Sequence, residues 1–257
     1  MFRFPLISLL FVIMAIAVTV QAAPRGEAQS EWQDDWNSAY IDQNLSQTLP
    51  AAALPAGFKA GLTSAASRAR FHSDRAVFGT LPAGSRLEDG RISLAQFGKG
   101  MLEMELAFQL REAQRQPIVS VSALKAQLAR VALALELPDL SRIPAPLSAM
   151  NIVRGNVAAR YFAVGAEAPL SAVAIDDLTL ALLKDGEPVI NAPAQALAEG
   201  QWQTLLALIN QRIALGWEIR PDQWLLTGAL GGMQPLERGR YQLVAEGLAP
   251  LSLTVLP

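Results

Sequence analysis

Residues 101–110 alternate without a break. Leu102, Met104, Leu106, Phe108 and Leu110 fall on one parity, and Met101, Glu103, Glu105, Ala107 and Gln109 on the other. A strand sends successive side chains to opposite faces, so it would set the two glutamates side by side. A helix turns ~100° per residue and would place them about 200° apart. The segment therefore predicts a strand. The same period of two gives a short strand where Ala56, Phe58, Ala60 and Leu62 alternate with Gly57, Lys59 and Gly61. Ser64 is placed to cap a helix over 65–71, and Phe78-Gly79-Thr80-Leu81 leads into a Pro/Gly-rich loop at 82–90.

Helical spacing governs other stretches. Over 27–45, Trp32, Trp36, Tyr40 and Ile41 form one apolar stripe opposite acids and amides. An Ala/Pro-rich linker at 48–55 follows it. Ser122 opens a helix through 124–130, and 131–137 reads as a strand in which Glu136 is the one polar residue among Val, Ala and Leu. The apolar stretch 152–164 is broken by Arg154, Gly155, Asn156 and Arg160. Strands at 178–183 and 188–190 flank Asp185-Gly186, a strong hairpin signal. An amphipathic helix over 202–215 stops at Gly216, and strands are expected at 224–230, 241–246 and 251–256. No internal repeat is present.

The first residues read as an address. Arg3 precedes an apolar run at 6–20, and Val20-Gln21-Ala22 offers a signal-peptidase site. The run of about 15 residues is short for a membrane-spanning helix, which needs ~20. We expect a signal peptide at 1–22, cleavage near Ala22, a mature chain from Ala23 with no stable membrane span, and a periplasmic or secreted location. Residues 23–55 then form a helical segment and linker, and 56–257 the main domain.

The charge balance excludes one large class: 21 Lys and Arg against 23 Asp and Glu leave no basic excess for a nucleic-acid partner. Absent cysteine removes disulfides, thiolate zinc sites and cysteine nucleophiles. A single histidine removes multi-histidine metal sites, which directs attention to carboxylates. Three stand out. Glu103 and Glu105 share a strand face and either line a solvated sheet or begin a metal site. Glu136 is harder to place on a solvated face, because an ionised carboxylate among apolar neighbours is costly unless paired or metal-bound.

Gly57-Phe58-Lys59-Ala60-Gly61-Leu62-Thr63-Ser64 resembles the G-[YF]-K-x-G-L-T-S strand of the 2-keto-4-pentenoate hydratases, in the fumarylacetoacetate hydrolase superfamily. Phe78-Gly79-Thr80-Leu81 resembles the family's F-G-x-L, Glu103-Met104-Glu105 its E-x-E, Ala134-Leu135-Glu136-Leu137-Pro138-Asp139 its A-L-E-x-x-D, and Thr227-Gly228-Ala229-Leu230-Gly231 its T-G-A-L-G. The five elements come in the family's order. The resemblance implies an α+β, β-rich fumarylacetoacetate-hydrolase-like fold of the C-terminal-domain type, here preceded by a short helical segment. It implies a divalent ion, Mg²⁺ or Mn²⁺, held by Glu103, Glu105 and Glu136. It also implies a catalytic Lys59, with Thr63, Thr227 and Gly228 beside the substrate. A lysine in a pocket beside a dication is expected to have a lowered pKa. The implied substrate is a short 2-oxo or 2-hydroxy unsaturated carboxylic acid, and the implied reaction is metal-dependent addition of water to it. A homo-oligomer is compatible with the chain.

The departures from the family pattern keep other readings open. Val77 stands where an acid often precedes F-G-x-L, with Asp74 three residues earlier. The usual Gly-[His/Asn]-Pro is replaced around Gly200-Gln201-Trp202, and Met101 stands where a basic residue is common. A leader is unusual for the family. An oxalocrotonate-type decarboxylase and a non-catalytic periplasmic 2-oxo-acid-binding protein are the alternatives. Hydrolases of the superfamily use a His-x-x-Glu pair, but Arg75 follows His72 at that spacing, which argues against hydrolysis.

Overall fold

The computed structural model describes residues 25–48 and 54–257, with side chains at 35–47 and from 54 onward. The expected leader, its cleavage site and most of the expected linker lie outside the described residues. Among those described, eight strands form one sheet and five another.

The larger sheet runs β2 (Val77–Leu81), β1 (Gly57–Gly61), β10 (Trp224–Leu226), β4 (Met101–Leu110), β5 (Leu128–Leu137) and β6 (Tyr161–Val164). Two short strands extend it: β11 (Gln234–Pro235) beside β4, and β7 (Ala168–Pro169) beside β5. The second sheet orders β3 (Arg91–Ser93), β13 (Leu248–Leu256), β12 (Gly239–Ala245), β8 (Thr179–Lys184) and β9 (Glu187–Pro193). Five α-helices and several short 3-10 turns complete the described chain: α1 (Arg25–Thr48), α2 (Ala65–Phe71), α3 (Val121–Gln127), α4 (Ala149–Arg154) and α5 (Gly200–Ala214). None is both long and apolar enough to cross a membrane.

The alternation of β4 decides how the sheets stack. Leu102, Met104, Leu106 and Phe108, with Leu133, Leu135 and Leu137 of β5, enter one core with Leu180, Leu182, Tyr241, Leu243, Leu253 and Val255 of the second sheet. Each such side chain contributes about 1.5–3 kcal/mol on burial. The other parity is buried too. Ala107, Ala132, Ala134, Phe162, Val164, Trp224, Leu226 and Leu81 form a smaller core on the opposite face. That face is enclosed because the chain beyond β2 crosses to β6. Phe162 donates its N–H to the Ser85 carbonyl at 3.0 Å, and Leu87 donates to the Phe162 carbonyl at 2.8 Å. The two ends of the strand path are thereby joined, and the sheet wraps around its glutamate-bearing face.

Several elements differ from expectation in instructive ways. Ser120, not Ser122, caps α3, accepting from Ala123 N–H at 3.1 Å. The strand after it begins at Leu128, because Leu128 and Arg130 pair with Leu110 and Gln109 and the ladder outweighs local helix preference. The strand at Trp224 ends at Leu226, since Gly228 follows with φ +103°. On α1, Trp36 and Tyr40 are buried as the stripe requires, but Ile41 is 54% exposed.

A polar lock docks α1. Phe78 N–H donates to the Tyr40 hydroxyl at 3.0 Å, and Gln43 Nε2 donates to the carbonyls of Phe78 (2.9 Å) and Val153 (2.8 Å). From α5, the fully buried Arg212 donates to Gln43 Oε1 at 2.8 Å and to the Phe78 carbonyl at 3.0 Å. Burial pushes the Arg212 guanidinium down to about 10.

Candidate metal centre

The register of β4 against β5 assembles the site. Glu103 lies directly opposite Glu136, and Glu105 opposite Ala134, so the three glutamates occupy adjoining positions on the enclosed face. One carboxylate oxygen from each lies within 4.8 Å of the others. Glu105 and Glu136 are fully buried and Glu103 is 8% exposed, so the solvated-sheet reading of Glu103 and Glu105 does not hold.

Lys59 reaches the same cluster from two strands away. It pairs with Leu226 of β10, which pairs with Ala107 of β4 and so with Ala132 of β5. The alanines in this row leave room for a long side chain. Lys59 is 2% exposed, with Nζ 2.6 Å from Glu136 Oε2 and 4.0 Å from Glu103 Oε2. It donates to the Val157 carbonyl at 3.2 Å.

The electrostatics follow from burying like charges together. Burial, with the charge of Glu136, pushes Glu103 up to about 8 against the pull of Lys59. Burial and its two neighbouring carboxylates push Glu105 well above the usual range, opposed by Lys59 and the Gly228 N–H. Burial alone would lower Lys59, but the three carboxylates outweigh it and hold the ammonium above its ordinary value. The lowered value expected for this lysine presupposed a dication beside it.

The donor set suits a divalent ion. Glu105 Oε1 and both oxygens of Glu136 are buried without a hydrogen bond, although Glu136 Oε2 has its ion pair with Lys59. When ionised, three carboxylates facing one ammonium carry excess negative charge. All the ligands are hard oxygens, which matches Mg²⁺ or Mn²⁺ better than softer metals.

The remaining expected residues fall into distinct places. Gly228 donates its N–H to Glu105 Oε2 at 2.7 Å, and this orients the carboxylate. Its φ of +103° favours glycine, and a Cβ there would lie 2.4 Å from Thr63 Oγ1. Thr63 thus packs directly over Gly228. Thr227 turns its hydroxyl away from the glutamates, to the Leu106 carbonyl and to Gln201 of α5. Gln201, where the family motif is replaced, also donates to the Ala194 carbonyl at 2.8 Å. His72 ends α2 in the left-handed conformation. Asp74 pairs with Arg75 at 2.7 Å and lines a cavity of about 780 Å³ between α1 and α5, with Trp36 and Tyr40. Sequence reasoning missed the Val157 carbonyl and the backbone role of Gly228. A backbone group carries no side-chain signature, and only the glycine of the Thr227-Gly228 pair pointed to it.

The fold around this site is the fumarylacetoacetate-hydrolase-like one. Among solved structures, 4-oxalocrotonate decarboxylase from Pseudomonas putida G7, complexed with magnesium and adipate, superposes with a TM-score of 0.78 at 19% identity over 90% of each chain. Fumarylpyruvate hydrolase from Pseudomonas aeruginosa, in complex with Mn²⁺ and pyruvate, gives 0.60 at 18% identity over 77% of this chain and 88% of its own. The 2-hydroxyhepta-2,4-diene-1,7-dioate isomerase from Mycobacterium marinum gives 0.59 at 16% identity, covering 77% and 73%. No protein-family model matches the sequence, and no curated protein matches it.

Proposed function

We propose that the chain is a divalent-metal-dependent enzyme of the fumarylacetoacetate hydrolase superfamily that adds water to a short 2-hydroxydienoate or its 2-oxo tautomer. The observation that carries this reading is the buried Glu103–Glu105–Glu136 cluster facing the Lys59 ammonium. Those three glutamates would hold Mg²⁺ or Mn²⁺, and the bound ion supplies Lewis-acid polarisation of the substrate oxygens. Gly228 N–H fixes Glu105. Lys59 holds a proton at Nζ, within reach of a bound acid's carboxylate or of a carbon that must be protonated. The alanine-lined, enclosed face excludes bulk water from these groups.

Decarboxylation of an oxalocrotonate-type acid is the second reading. It is favoured by the 0.78 TM-score and the matched 90% coverage with the decarboxylase, against 0.60 for the hydrolase. A panel of 2-oxo acids assayed with Mn²⁺ by loss of dienoate absorbance, with CO₂ measured in parallel, separates the two reactions. Calorimetric titration of Mn²⁺ into wild type and Glu105→Ala tests the centre itself. We expect severe loss of binding in the variant, and equal binding would overturn the metal site. Wild-type protein that binds 2-oxo acids but turns none over would establish the binding-protein alternative.

A further inference from the structure

Three consecutive residues that are not glycine, Asn156, Val157 and Ala158, have φ of 52°, 53° and 58°. Left-handed backbone costs an L-residue roughly 1–2 kcal/mol, and β-branched Val157 is a poor choice for it. Such a conformation persists only where its surroundings over-determine it. Here they do. Thr80 N–H donates to Asn156 Oδ1 at 2.8 Å, and Asn156 Nδ2 donates back to the Thr80 carbonyl at 2.8 Å, which clamps the turn to β2. Asn156 Nδ2 also reaches Gln47 Oε1 of α1 at 3.2 Å.

Everything around the turn converges on one side chain. Val157 gives its carbonyl to Lys59 Nζ at 3.2 Å. Gly79, directly opposite Lys59 in the β1–β2 register, leaves space that a Cβ would close, 2.9 Å from the Asn156 carbonyl. Gly61, two residues beyond Lys59, does the same: a Cβ there would lie 2.5 Å from Val157 Cγ1. Two glycines therefore admit the turn, and a side-chain clamp holds it. The turn then directs a carbonyl at the ammonium beside Glu136.

We infer that Asn156 is a positioning residue for Lys59: by clamping the left-handed turn to Thr80, it aims the Val157 carbonyl that fixes the ammonium against the glutamate cluster. The inference deepens the reading of Lys59 as an active-site group and rests on it. Its test needs neither metal turnover nor substrate, so its failure is distinguishable from failure of that reading.

The readout is the rate at which acetic anhydride acetylates Lys59, followed peptide by peptide by mass spectrometry on the whole chain. Lys99, Lys125 and Lys184 serve as internal references. Asn156→Gly keeps the backbone free to adopt the left-handed turn and deletes the clamp, with the bond to Gln47. Loss of the two bonds to Thr80, together with the one to Gln47, should speed Lys59 acetylation about 10- to 50-fold. The control is Asn210→Ala. Asn210 clamps Ile118 in the same two-way manner, at 2.7 and 2.9 Å, on α5. It loses a like two-way backbone clamp, and Lys59 should react within about two-fold of wild type. If Asn156→Gly does not fold, Asn156→Asp, which keeps the acceptor for Thr80 N–H and loses the donor, should still raise the rate. A Lys59 as protected as wild type in the folded Asn156 variants, or equally opened by Asn210→Ala, would overturn the inference.

Discussion

Asp139 closes the end of β5 nearest the glutamate cluster, and its removal makes a quantitative test. Its carboxylate accepts from Gly98 N–H (3.0 Å), Lys99 N–H (2.8 Å), Ser141 N–H (3.1 Å) and Ser141 Oγ (2.7 Å). Burial opposes ionisation, but these donors prevail and hold the carboxyl down at about 2, against an ordinary 3.8. At about 1.4 kcal/mol per unit, the difference corresponds to roughly 2–3 kcal/mol of native-state stability. The folded value lies below the unfolded one. This stability is therefore complete above about pH 4 and is lost as pH falls towards about 2. Asp139→Ala should cost about 2–4 kcal/mol near neutrality, because the amides of Gly98 and Lys99 also lose their acceptor. Urea unfolding followed by tryptophan fluorescence at a series of pH values measures both effects. The variant should lack the part of the acid-induced loss that belongs to this carboxylate. A variant curve parallel to wild type between about pH 4 and pH 2 would refute the reasoning. A second consequence reaches the site. Met101 N–H donates to the Pro138 carbonyl at 2.8 Å, and Gly100 bridges Asp139, so this corner helps to set Glu103 opposite Glu136. Mn²⁺ affinity should fall about 10- to 100-fold, as is usual when the support of a ligand is lost.

Gly228→Ala should both destabilise the fold, by about 1–3 kcal/mol for the strained φ alone, and weaken Mn²⁺ binding by pulling the N–H away from Glu105. Calorimetry showing wild-type affinity would remove that N–H from the orientation of Glu105. For the leader, intact-mass measurement on protein from fractionated cells is expected to find a periplasmic chain beginning near Ala23. A full-length mass in the cytoplasmic fraction would contradict the expectation.

Side-chain periodicity made the strands legible. The bounds expected for β4 and α2, 101–110 and 65–71, are those observed, because strict alternation in one and a serine capping box in the other leave little freedom. Period two alone places Glu103 and Glu105 on one face; Glu136 joins them only through the family resemblance, and the burial of the pair is not legible. The wrapping that encloses them depends on backbone bonds between Ser85, Leu87 and Phe162, which no side-chain pattern encodes. In sequence, residues 152–164 show only an interrupted apolar stretch. Of the three left-handed residues there, Asn156 alone is of a type that favours that conformation. The hydroxyl of Thr227 shows the same limit. Sequence brings it next to Gly228, but past the strand's end its hydroxyl bonds the Leu106 carbonyl and Gln201.

The lock between α1 and Arg212 joins residues far apart along the chain. Gln43 and Arg212 are separated by 169 positions, and Gln43 and Val153 by 110. In a chain synthesised from its N-terminus, the helix that carries Tyr40 and Gln43 is among the first parts made, while the guanidinium it awaits comes on α5. Contacts of such span form only after the intervening loop closes, and they slow folding accordingly. Until α5 arrives, α1 is held by its bonds to Phe78 and Val153, and the Gln43 carboxamide lacks the guanidinium. The first described helix is therefore among the last to be fully secured, and a chain cut short before Arg212 would keep its bonds to Phe78 and Val153 but lack the guanidinium.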